Sequence, residues 1–502
     1  MTVASTITAT LSRHARKTPD RLAVVCDNHA VSWKDLDQAV NRLAGHLAKV
    51  VPAGRGVALH LPSGPALVLL FLAACRAGRE AQILDPSWLT ETARLAITAL
   101  TPGIVVSGDA TLAGDTEVFA VVDPYGPFES VADAIGAGPS PEAMVEPDPL
   151  TPFYVGFTSG STGTPKGYRR HHQSWIESFR AGDREFDIGA RDIVLAPGAL
   201  THSLFLYGLA HGLYVGATVI LCRHFRPNLV NRLIVSHRVS VIYGVPTQLE
   251  MMIEAAVRDG LPPFVSVRWT LSSGAKWQGR ALAELRQQFP SARFAEFYGA
   301  SELSFVTVAK DDEDVPPDSV GRPFADVSLT IRDHLGRRLP SGEAGQVFVA
   351  SPFLFMEYAC GSETLLPRHG DAVSVGDIGM VDERGFLRLA GRASRMIITA
   401  GKNVHPEEIE RVIEGHPAVV AAGVLGAIDE RRGERLVALL RLGPDGRLGS
   451  SDLISHARMS LPLYKIPRRF AVPSRWPMTS SGKTDFHALR QIWESGAYEL
   501  LR

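Results

Sequence analysis

The stretch FYVGFTSGSTGTPKGYRRHH, residues 153–172, decides how this chain of 502 residues is interpreted. It begins with an apolar, aromatic run typical of a buried strand. That run leads into a segment rich in glycine, serine and threonine, which ends at Lys166. Glycines let backbone N–H groups converge on a phosphate, hydroxyls add donors, and the lysine adds a point charge. The pattern predicts a phosphate-binding loop, although not a Walker A loop, because no glycine precedes Lys166.

Short apolar runs alternate with helical patterns on both sides of this stretch. The runs GVALHL, AQIL and GIVV precede it, and IVLA, ATVILC and VSVIYGV follow it. This alternation predicts two parallel sheets flanked by helices. After about residue 320 the pattern becomes antiparallel, with SLTIRD and QVFVAS separated by a turn-rich segment. The helix pattern PEEIERVIEGH then opens a compact α+β tail.

Composition excludes several classes of protein. The net charge of −1 offers no global field for nucleic acid or an anionic membrane surface. The longest apolar run, residues 66–75, is about half of what a bilayer span needs. The four cysteines are too dispersed for a Cys-x-x-Cys site. We therefore expect a cytoplasmic protein without a membrane span and without a nucleic-acid partner.

Residues 153–172 resemble the phosphate loop of the adenylate-forming (ANL) superfamily, which includes acyl-CoA synthetases, amino-acid adenylation domains and firefly luciferase. Further motifs follow in the family's order. The sequence YGASE at 298–302 is similar to Tyr-Gly-x-Thr-Glu, with serine replacing threonine. The Gly-Asp at 376–377, the Gly-Arg at 391–392 and the segment PMTSSGK at 477–483 also match. The chain is thus identified as a member of this superfamily, and it resembles the AMP-dependent acyl-CoA ligases within it.

The resemblance implies a fold and a division into domains. The fold is α/β, with a large N-terminal domain of two α/β-layered sheets plus a small β-barrel-like subdomain, and a small α+β C-terminal domain on a hinge. The N-terminal domain is expected over residues 1–392, with the antiparallel subdomain at about 320–392. A mobile cap is expected over residues 393–502, with hinge residues Ala393 and Ser394.

The resemblance also implies roles for individual residues. The expected catalytic residues are Lys483, Glu302, Ser301, Thr158 and His202, of which Glu302 binds Mg²⁺. The expected ATP and AMP site comprises Thr158, Ser159, Gly160, Ser161, Thr162, Gly163, Thr164, Lys166, Ser273, Gly274, Ala275, Phe297, Tyr298, Gly299, Ala300, Ser301, Asp377, Arg392 and Lys483. The expected CoA channel contains Gly401 and Lys402. The expected cofactors and co-substrates are ATP, Mg²⁺ and CoA.

The acyl pocket is expected at His202, Phe205, Leu206, Gly274 and Gly299. The segment 196–221 around it contains no Asp or Glu. An α-amino acid would need a carboxylate there, because an unpaired buried charge is expensive. The apolar residues favour a fatty or aromatic acid, and they are equally compatible with ordinary core packing. His202 is expected to lie near the substrate carboxylate or, alternatively, to be a hydrogen-bonded core histidine.

Several alternatives stay open on the sequence alone. The acceptor is expected to be CoA, and a carrier protein acting in trans would use the same channel. Ala393, Ser394 and Arg395 stand where many relatives have Asp or Lys and then Asp, which leaves open an enzyme specialised for one half-reaction. A silent homologue and a luciferase-like oxygenase are further alternatives. The basic run Arg169–His172 is expected to be a solvated flank of the loop, or else to meet the nucleotide end of CoA.

Overall fold

The computed structural model describes residues 6–112, 119–139, 144–158, 165–273, 279–362, 365–399, 402–429, 433–443, 448–478 and 484–501. The chain divides into two compact units. The first unit comprises Met1–Ser328 and Val349–Leu365, and the second comprises Leu329–Phe348 and Leu366–Arg502. Each is described by itself below.

The first unit contains ten of the described helices and most of the parallel strands. Its helices are α1 Leu11–Lys17, α2 Trp33–Val50, α3 Pro65–Arg76, α4 Thr90–Leu100, α5 Ser130–Ala134, α6 His172–Phe186, α7 Ser203–Val215, α8 Pro227–His237, α9 Pro246–Arg258 and α10 Gly279–Gln288. Its strands are β1 Leu22–Cys26, β2 His29–Ser32, β3 Val57–His60, β4 Ala81–Leu84, β5 Ile104–Ser107, β6 Phe119–Val121, β7 Pro152–Thr158, β8 Lys166–His171, β9 Ile193–Ala196, β10 Thr218–Leu221, β11 Val241–Gly244, β12 Trp269–Ser273, β13 Arg293–Ala300, β14 Ser304–Lys310, β15 Arg322–Pro323 and, further along the chain, β18 Glu357–Cys360.

Two sheets form this unit, as the alternation of strand and helix patterns predicted. One has seven strands in the order β18-β8-β7-β4-β3-β5-β6, and its central pairs are parallel. The other has nine strands in the order β15-β14-β13-β12-β11-β9-β10-β1-β2, with parallel pairs from β1 to β13. Antiparallel pairs occur only towards the edges of both sheets within the described residues.

Local sequence explains the helices that cover these sheets. Helix α2 begins after Ser32, whose side chain accepts a hydrogen bond from the Asp35 N–H, as its capping pattern predicted. Helix α3, which contains the longest apolar run, is buried on every side. Arg76 at its end pairs with Asp37 at 2.7 Å. That run is therefore an interior helix, and no helix in the described part of the chain is long and apolar enough to cross a membrane.

The second unit contains two further sheets. The first has six strands, β16 Ser328–Arg332, β17 Gly345–Ala350, β19 Arg368–His369, β20 Ala372–Val373, β21 Asp377–Val381 and β22 Leu387–Arg392. Their order is β19-β20-β17-β21-β22, and β16 also pairs with β17, which confirms the pairing expected of SLTIRD and QVFVAS. The predicted boundary between residues 392 and 393 stays a prediction.

The remainder of the second unit is the α+β tail. Its strands are β23 Ile397–Thr399, β24 Lys402–Val404, β25 Val419–Asp429, β26 Gly433–Leu442, β27 Arg469–Pro473 and β28 Tyr498–Leu500, and its helices are α11 Pro406–Glu414, α12 Ser450–Arg458 and α13 Phe486–Ser495. An apolar core joins α11 and α12 to the sheet through residues such as Ile409, Ile413, Leu453 and Phe470. The predicted α/β fold, with a large N-terminal body and a small C-terminal α+β domain, is confirmed.

Candidate active site

The predicted phosphate loop connects two paired strands. Thr158 is the last residue of β7 and Lys166 is the first residue of β8, and the two are partners in the antiparallel ladder. Both side chains are half-buried. Residues Ser159, Gly160, Ser161, Thr162, Gly163 and Thr164 lie outside the described residues. The flanks nevertheless fix where the loop leaves and re-enters the sheet, because both lie at the same end of this hairpin.

The motif YGASE lies at the end of another hairpin. Strands β13 and β14 pair antiparallel, and Ser301–Leu303 form the turn between them. At Gly299 an added Cβ would lie 2.1 Å from the carbonyl oxygen of Ser304, so a side chain there would collide with backbone. The close approach of the two strands therefore explains the glycine of this motif.

Glu302, the expected magnesium ligand, is 8% exposed and held by a tyrosine. The Tyr358 hydroxyl donates a hydrogen bond of 2.8 Å to Oε1 of Glu302. Lys166 Nζ lies 5.8 Å from the centre of the Tyr358 ring, within the range of a cation–π contact. Tyr358 therefore links the lysine of the phosphate loop to the carboxylate of the YGASE turn, and nothing in the sequence pattern pointed to it.

Arg170 is fully buried, so the expectation of a solvated flank is wrong for this residue. Its guanidinium donates to the Ser301 carbonyl at 2.8 Å, to the Ser174 hydroxyl at 3.3 Å and to the Phe353 carbonyl. Burial lowers the pKa of Arg170 to about 10, which leaves it charged at neutral pH. A cation thus lies directly behind Ser301.

The neighbours of Arg170 correct the same expectation. Arg169 forms ion pairs with Glu80 at 2.5 Å and Glu357 at 2.6 Å. His172 is buried and stacks on Phe153. This run is basic in sequence, but its side chains are used to join β8 to its surroundings and do not form a free basic surface.

The expected adenine-binding segments lie side by side. Ser273 ends β12, and its partner in the parallel ladder is Phe297 on β13. Tyr298, Gly299 and Ala300 continue β13 beyond that pair. Gly274 and Ala275 lie outside the described residues. The structure therefore brings Ser273 and the start of the YGASE motif to the same end of the nine-stranded sheet.

The expected acyl-pocket residues begin helix α7. His202 is the residue before the helix and is half-buried, and its carbonyl accepts hydrogen bonds from the Phe205 and Leu206 N–H groups. Phe205 and Leu206 are both buried. The Phe205 ring covers Gly198, where an added Cβ would lie 2.0 Å from it. Whether these side chains contact an acid stays a prediction.

In the second unit, Asp377 and Arg392 face each other across β21 and β22. Arg392 Nε donates to Asp377 Oδ1 at 3.0 Å, and the Asp377 side chain is 7% exposed. Gly376 before it has φ +89°, which favours glycine. The Gly-Asp and Gly-Arg motifs, 15 residues apart, are therefore one structural site.

The predicted hinge residues Ala393 and Ser394 are exposed and form a short 3₁₀ turn with Arg395. The Arg395 guanidinium donates to Glu410 at 2.5 Å and to Glu407 at 3.1 Å. It also lies 3.5 Å from the centre of the Phe486 ring. Lys402 begins β24, with Nζ 4.1 Å from the centre of the Tyr464 ring. Gly401 and Lys483 lie outside the described residues.

A magnesium ion fits the chemistry of the YGASE turn. Carboxylate oxygens are the ligands that Mg²⁺ prefers, and it usually takes one or two of them together with substrate phosphates. Glu302 offers such a carboxylate next to Ser301, with only Oε1 engaged by Tyr358. No cluster of three His, Cys, Asp or Glu side chains that could hold a metal occurs among residues the structure describes. Glu302 is therefore the described residue of this turn whose chemistry fits a Mg²⁺ ion, and its role as a ligand stays a prediction.

Comparison with known proteins gives consistent results. The chain matches the AMP-binding enzyme family over residues 11–359 and the AMP-binding enzyme C-terminal domain over residues 408–483. Uncharacterized acyl-CoA ligase YhfT of Bacillus subtilis (strain 168) is 37% identical, with 95% of this chain and 96% of YhfT covered. Fatty acid–[acyl-carrier-protein] ligase ScoC of Streptomyces coeruleorubidus is 30% identical, with 98% and 97% covered.

A solved structure extends the likeness to the fold. The o-succinylbenzoate CoA synthetase MenE from Bacillus subtilis, in complex with its acyl-adenylate intermediate, superposes with a TM-score of 0.81. It is 25% identical, and 96% of this chain and 97% of MenE are covered. The chain therefore belongs to the AMP-binding enzyme family, and both the adenylate-forming fold and the assignment as an AMP-forming ligase are confirmed.

Proposed function

We propose that this enzyme joins a carboxylic acid to CoA through an acyl-adenylate. In the first half-reaction a carboxylate oxygen attacks the α-phosphorus of ATP and pyrophosphate leaves. In the second, the CoA sulfur attacks the acyl carbon and AMP leaves. The observation that carries the proposal is the link from Lys166 through Tyr358 to Glu302, which ties the phosphate-loop hairpin to the YGASE turn.

The first half-reaction brings two anions together, so catalysis depends on positioning and on neutralising charge. We assign the β- and γ-phosphates to Thr158, the loop 159–164 and Lys166. Ser301 donates to the α-phosphate, and Lys483 bridges the α-phosphate and the substrate carboxylate. Glu302 holds Mg²⁺, which supplies positive charge at the phosphate oxygens when it is bound.

We assign the nucleoside to two groups of residues. The adenine contacts Ser273, Gly274, Ala275 and the strand from Phe297 to Ala300. The ribose hydroxyls donate to Asp377, supported by Arg392. The burial of Asp377 and its hydrogen bond from Arg392 Nε support this role, because a hydrogen bond to a carboxylate is stronger away from water. We further propose that residues 393–502 form a mobile cap on the hinge Ala393–Ser394.

The acid that we propose is apolar, fatty or aromatic, and it is not an α-amino acid. Its pocket would be lined by His202, Phe205, Leu206, Gly274 and Gly299. One carboxylate that contacts α7 is Asp183 on helix α6, whose Oδ1 lies 2.8 Å from His211 Nε2. His211 is buried and also meets the Tyr243 hydroxyl at 3.1 Å, so Asp183 is already engaged by a core histidine, which supports the proposal that it does not pair with a substrate ammonium.

CoA is the acceptor that we propose, with Gly401 and Lys402 in the thiol channel. A carrier protein is a second candidate, favoured by the similarity to ScoC. AMP release that depends on CoA, with no carrier protein present, would separate the two. We place the enzyme in the cytoplasm, and its four cysteines, all free thiols, support that location.

Lys483→Ala tests the proposal most directly. We expect the variant to lose acid-dependent pyrophosphate release by at least about 100-fold, because the charge that holds carboxylate and α-phosphate together is removed. Thioester formation from a supplied acyl-adenylate should persist. The measurement is a panel of carboxylic acids read by pyrophosphate release, with CoA added afterwards. Equal loss of both half-reactions would contradict the role given to Lys483.

A further inference from the structure

The short strand β18 and the residues just before it contact both hairpins of the candidate active site. The Phe355 N–H donates to the Glu302 carbonyl at 2.8 Å, and the Tyr358 hydroxyl donates to Glu302 Oε1 at 2.8 Å. Strand β18 itself pairs with β8, which begins at Lys166. The same short segment therefore holds the YGASE turn and one flank of the phosphate loop.

The pairing of β18 with β8 is irregular at Tyr358. Tyr358 pairs with Tyr168 and Cys360 pairs with Gly167, so two steps along β18 correspond to one step along β8. A bulge of this kind bends the strand and redirects a side chain. Tyr358 lies at this irregularity, with its ring centre 5.8 Å from Lys166 Nζ and its hydroxyl on the carboxylate of the YGASE turn.

The end of β18 also lies against the end of the phosphate loop. Gly361 follows β18 and has φ +74°, a conformation that favours glycine. An added Cβ at Gly361 would lie 2.1 Å from the carbonyl oxygen of Pro165, the residue before Lys166. Strand β18 therefore determines how far Lys166 lies from Glu302.

The two carboxylate oxygens of Glu302 have different surroundings. Oε1 accepts from Tyr358, whereas no hydrogen bond to Oε2 occurs among the residues that the structure describes. The Tyr358 ring is itself packed against buried Phe355, with ring centres 5.2 Å apart. A carboxylate that is held through one oxygen presents the other in a defined direction, and carboxylates that bind metals are commonly oriented by such partners.

We infer that Tyr358 is a positioning residue, whose hydroxyl holds Oε1 of Glu302 so that Oε2 is directed at a Mg²⁺ ion. The inference rests on the proposed role of Glu302 as the metal ligand. It gives the hydroxyl of Tyr358 a role beyond packing, since the ring of phenylalanine would fill the same space.

Tyr358→Phe tests this role, because it removes the hydroxyl and keeps the ring. Binding of ATP is measured by titration calorimetry without any acid substrate, once with MgCl₂ and once with EDTA. The Kd in EDTA divided by the Kd with MgCl₂ isolates the contribution of the metal. We expect Tyr358→Phe to lower this ratio about tenfold while the Kd in EDTA changes less than about twofold, because the partner orients only a metal ligand.

Two further variants provide the controls. Tyr154→Phe removes another buried tyrosine hydroxyl, which lies 2.9 Å from the Tyr168 hydroxyl, and should leave the ratio within about twofold of wild type. In a Glu302→Gln background, Tyr358→Phe should change the ratio less than about twofold, because the carboxylate that it orients is gone.

Equal weakening of ATP binding with and without the metal overturns the inference, and so does an equal loss in the wild-type and Glu302→Gln backgrounds. An unchanged ratio in Glu302→Gln alone overturns the role of Glu302 and the inference with it. Absence of acid-dependent pyrophosphate release in the wild type, with every acid tested, contradicts the proposed function. The ratio of the two Kd values still decides the role of Tyr358 in that case, because it is measured without turnover.

Discussion

Two arginines, Arg170 in the first unit and Arg395 in the second, each follow a motif of the adenylate-forming family in the sequence. Their partners differ. Arg170 is bound by two carbonyls and a hydroxyl, and no carboxylate forms an ion pair with it among the described residues. Arg395 is bound by the carboxylates of Glu407 and Glu410.

The difference determines what each charge can do. Neutral partners stabilise a guanidinium without cancelling its charge, so Arg170 still contributes a positive field at Ser301 and Glu302. Arg395 is paired with two carboxylates, and it therefore joins the 3₁₀ turn Ala393–Arg395 to α11. A buried cation held by neutral dipoles, such as Arg170, suits a site that binds anions. An arginine paired with carboxylates, such as Arg395, suits a connection between two elements.

The largest expected effect comes from Arg170→Met. The change leaves the carbonyls of Ser301 and Phe353 without their donor in a buried site, and we expect a loss of about 3 kcal/mol in the free energy of unfolding. Urea denaturation measures it. The loss should be the same in 0.1 M and 1 M NaCl, because no ion pair is broken. A loss that shrinks strongly in salt would break the comparison with Arg395.

The pH dependence of stability tests the burial of His172, the first residue of α6. Burial lowers its pKa from 6.5 to about 3, so between these values the unfolded chain binds a proton that the folded chain does not. Stability therefore falls as pH decreases through this window and is unaffected above it, with a slope of up to about 1.4 kcal/mol per pH unit. Unfolding free energies from pH 7 to pH 4.5 measure the slope.

His172→Asn is the variant that isolates this effect. Asparagine cannot be protonated in this range, and its carbonyl can still accept from the Ile7 N–H, which now lies 3.4 Å from His172 Nδ1. We expect the variant to be less stable than wild type at pH 7, through lost packing on Phe153, and to show a shallower fall towards pH 4.5. An unchanged slope would show that other groups cause the acid sensitivity.

Arg395→Met should have the smallest effect, a loss of about 1–2 kcal/mol in the free energy of unfolding at pH 8. Burial raises the pKa of Glu410, and Arg395 opposes that shift, so its removal raises the pKa further. Stability of the variant then falls as pH rises from the ordinary carboxyl pKa of 4.5 through the raised value, and the deficit nearly vanishes at pH 5. Thermal midpoints at pH 5 and pH 8 measure it.

The double variant Arg395→Met with Glu410→Gln provides the control, because it removes the charge that Arg395 compensates. The double variant should be less stable than Glu410→Gln alone by an amount that does not depend on pH. The loss of stability in Arg395→Met, relative to wild type, could instead be as large at pH 5 as at pH 8. That result would mean that Arg395 stabilises the turn Ala393–Arg395 by packing on Phe486 and not by charge.

The sequence predicted the buried strand that leads to Thr158, because the apolar run before it is contiguous in the chain. It did not predict that β8 returns antiparallel to that strand, or that Ser301 and Glu302 lie in the turn between β13 and β14. Tyr358 could not be predicted, because its place depends on the pairing of β18 with β8, which joins residues about 190 positions apart.

Side-chain environment was harder to predict than backbone. Arg170 was expected in solvent because arginines are usually exposed, and because its neighbours Arg169 and His171 are also basic, as is typical of an exposed segment. The alternation of Tyr168 and Arg170 in a strand was the available signal, since it places a phenol and a guanidinium on one face. Phe205 and Leu206 stay ambiguous, because an apolar side chain serves a core and a pocket equally well.

The pairing of β18 with β8 also has a consequence for the order in which the protein is made. A growing chain completes β8 at His171 but reaches β18 only at Glu357–Cys360. At about 5–20 residues per second, the outer edge of β8 stays uncovered for roughly 10–40 seconds of synthesis. An uncovered edge strand invites pairing with another chain, and charged side chains, lysine above all, discourage it. Lys166 and Arg169 place such charges on β8, and their partners in the folded chain are Tyr358 and Glu357.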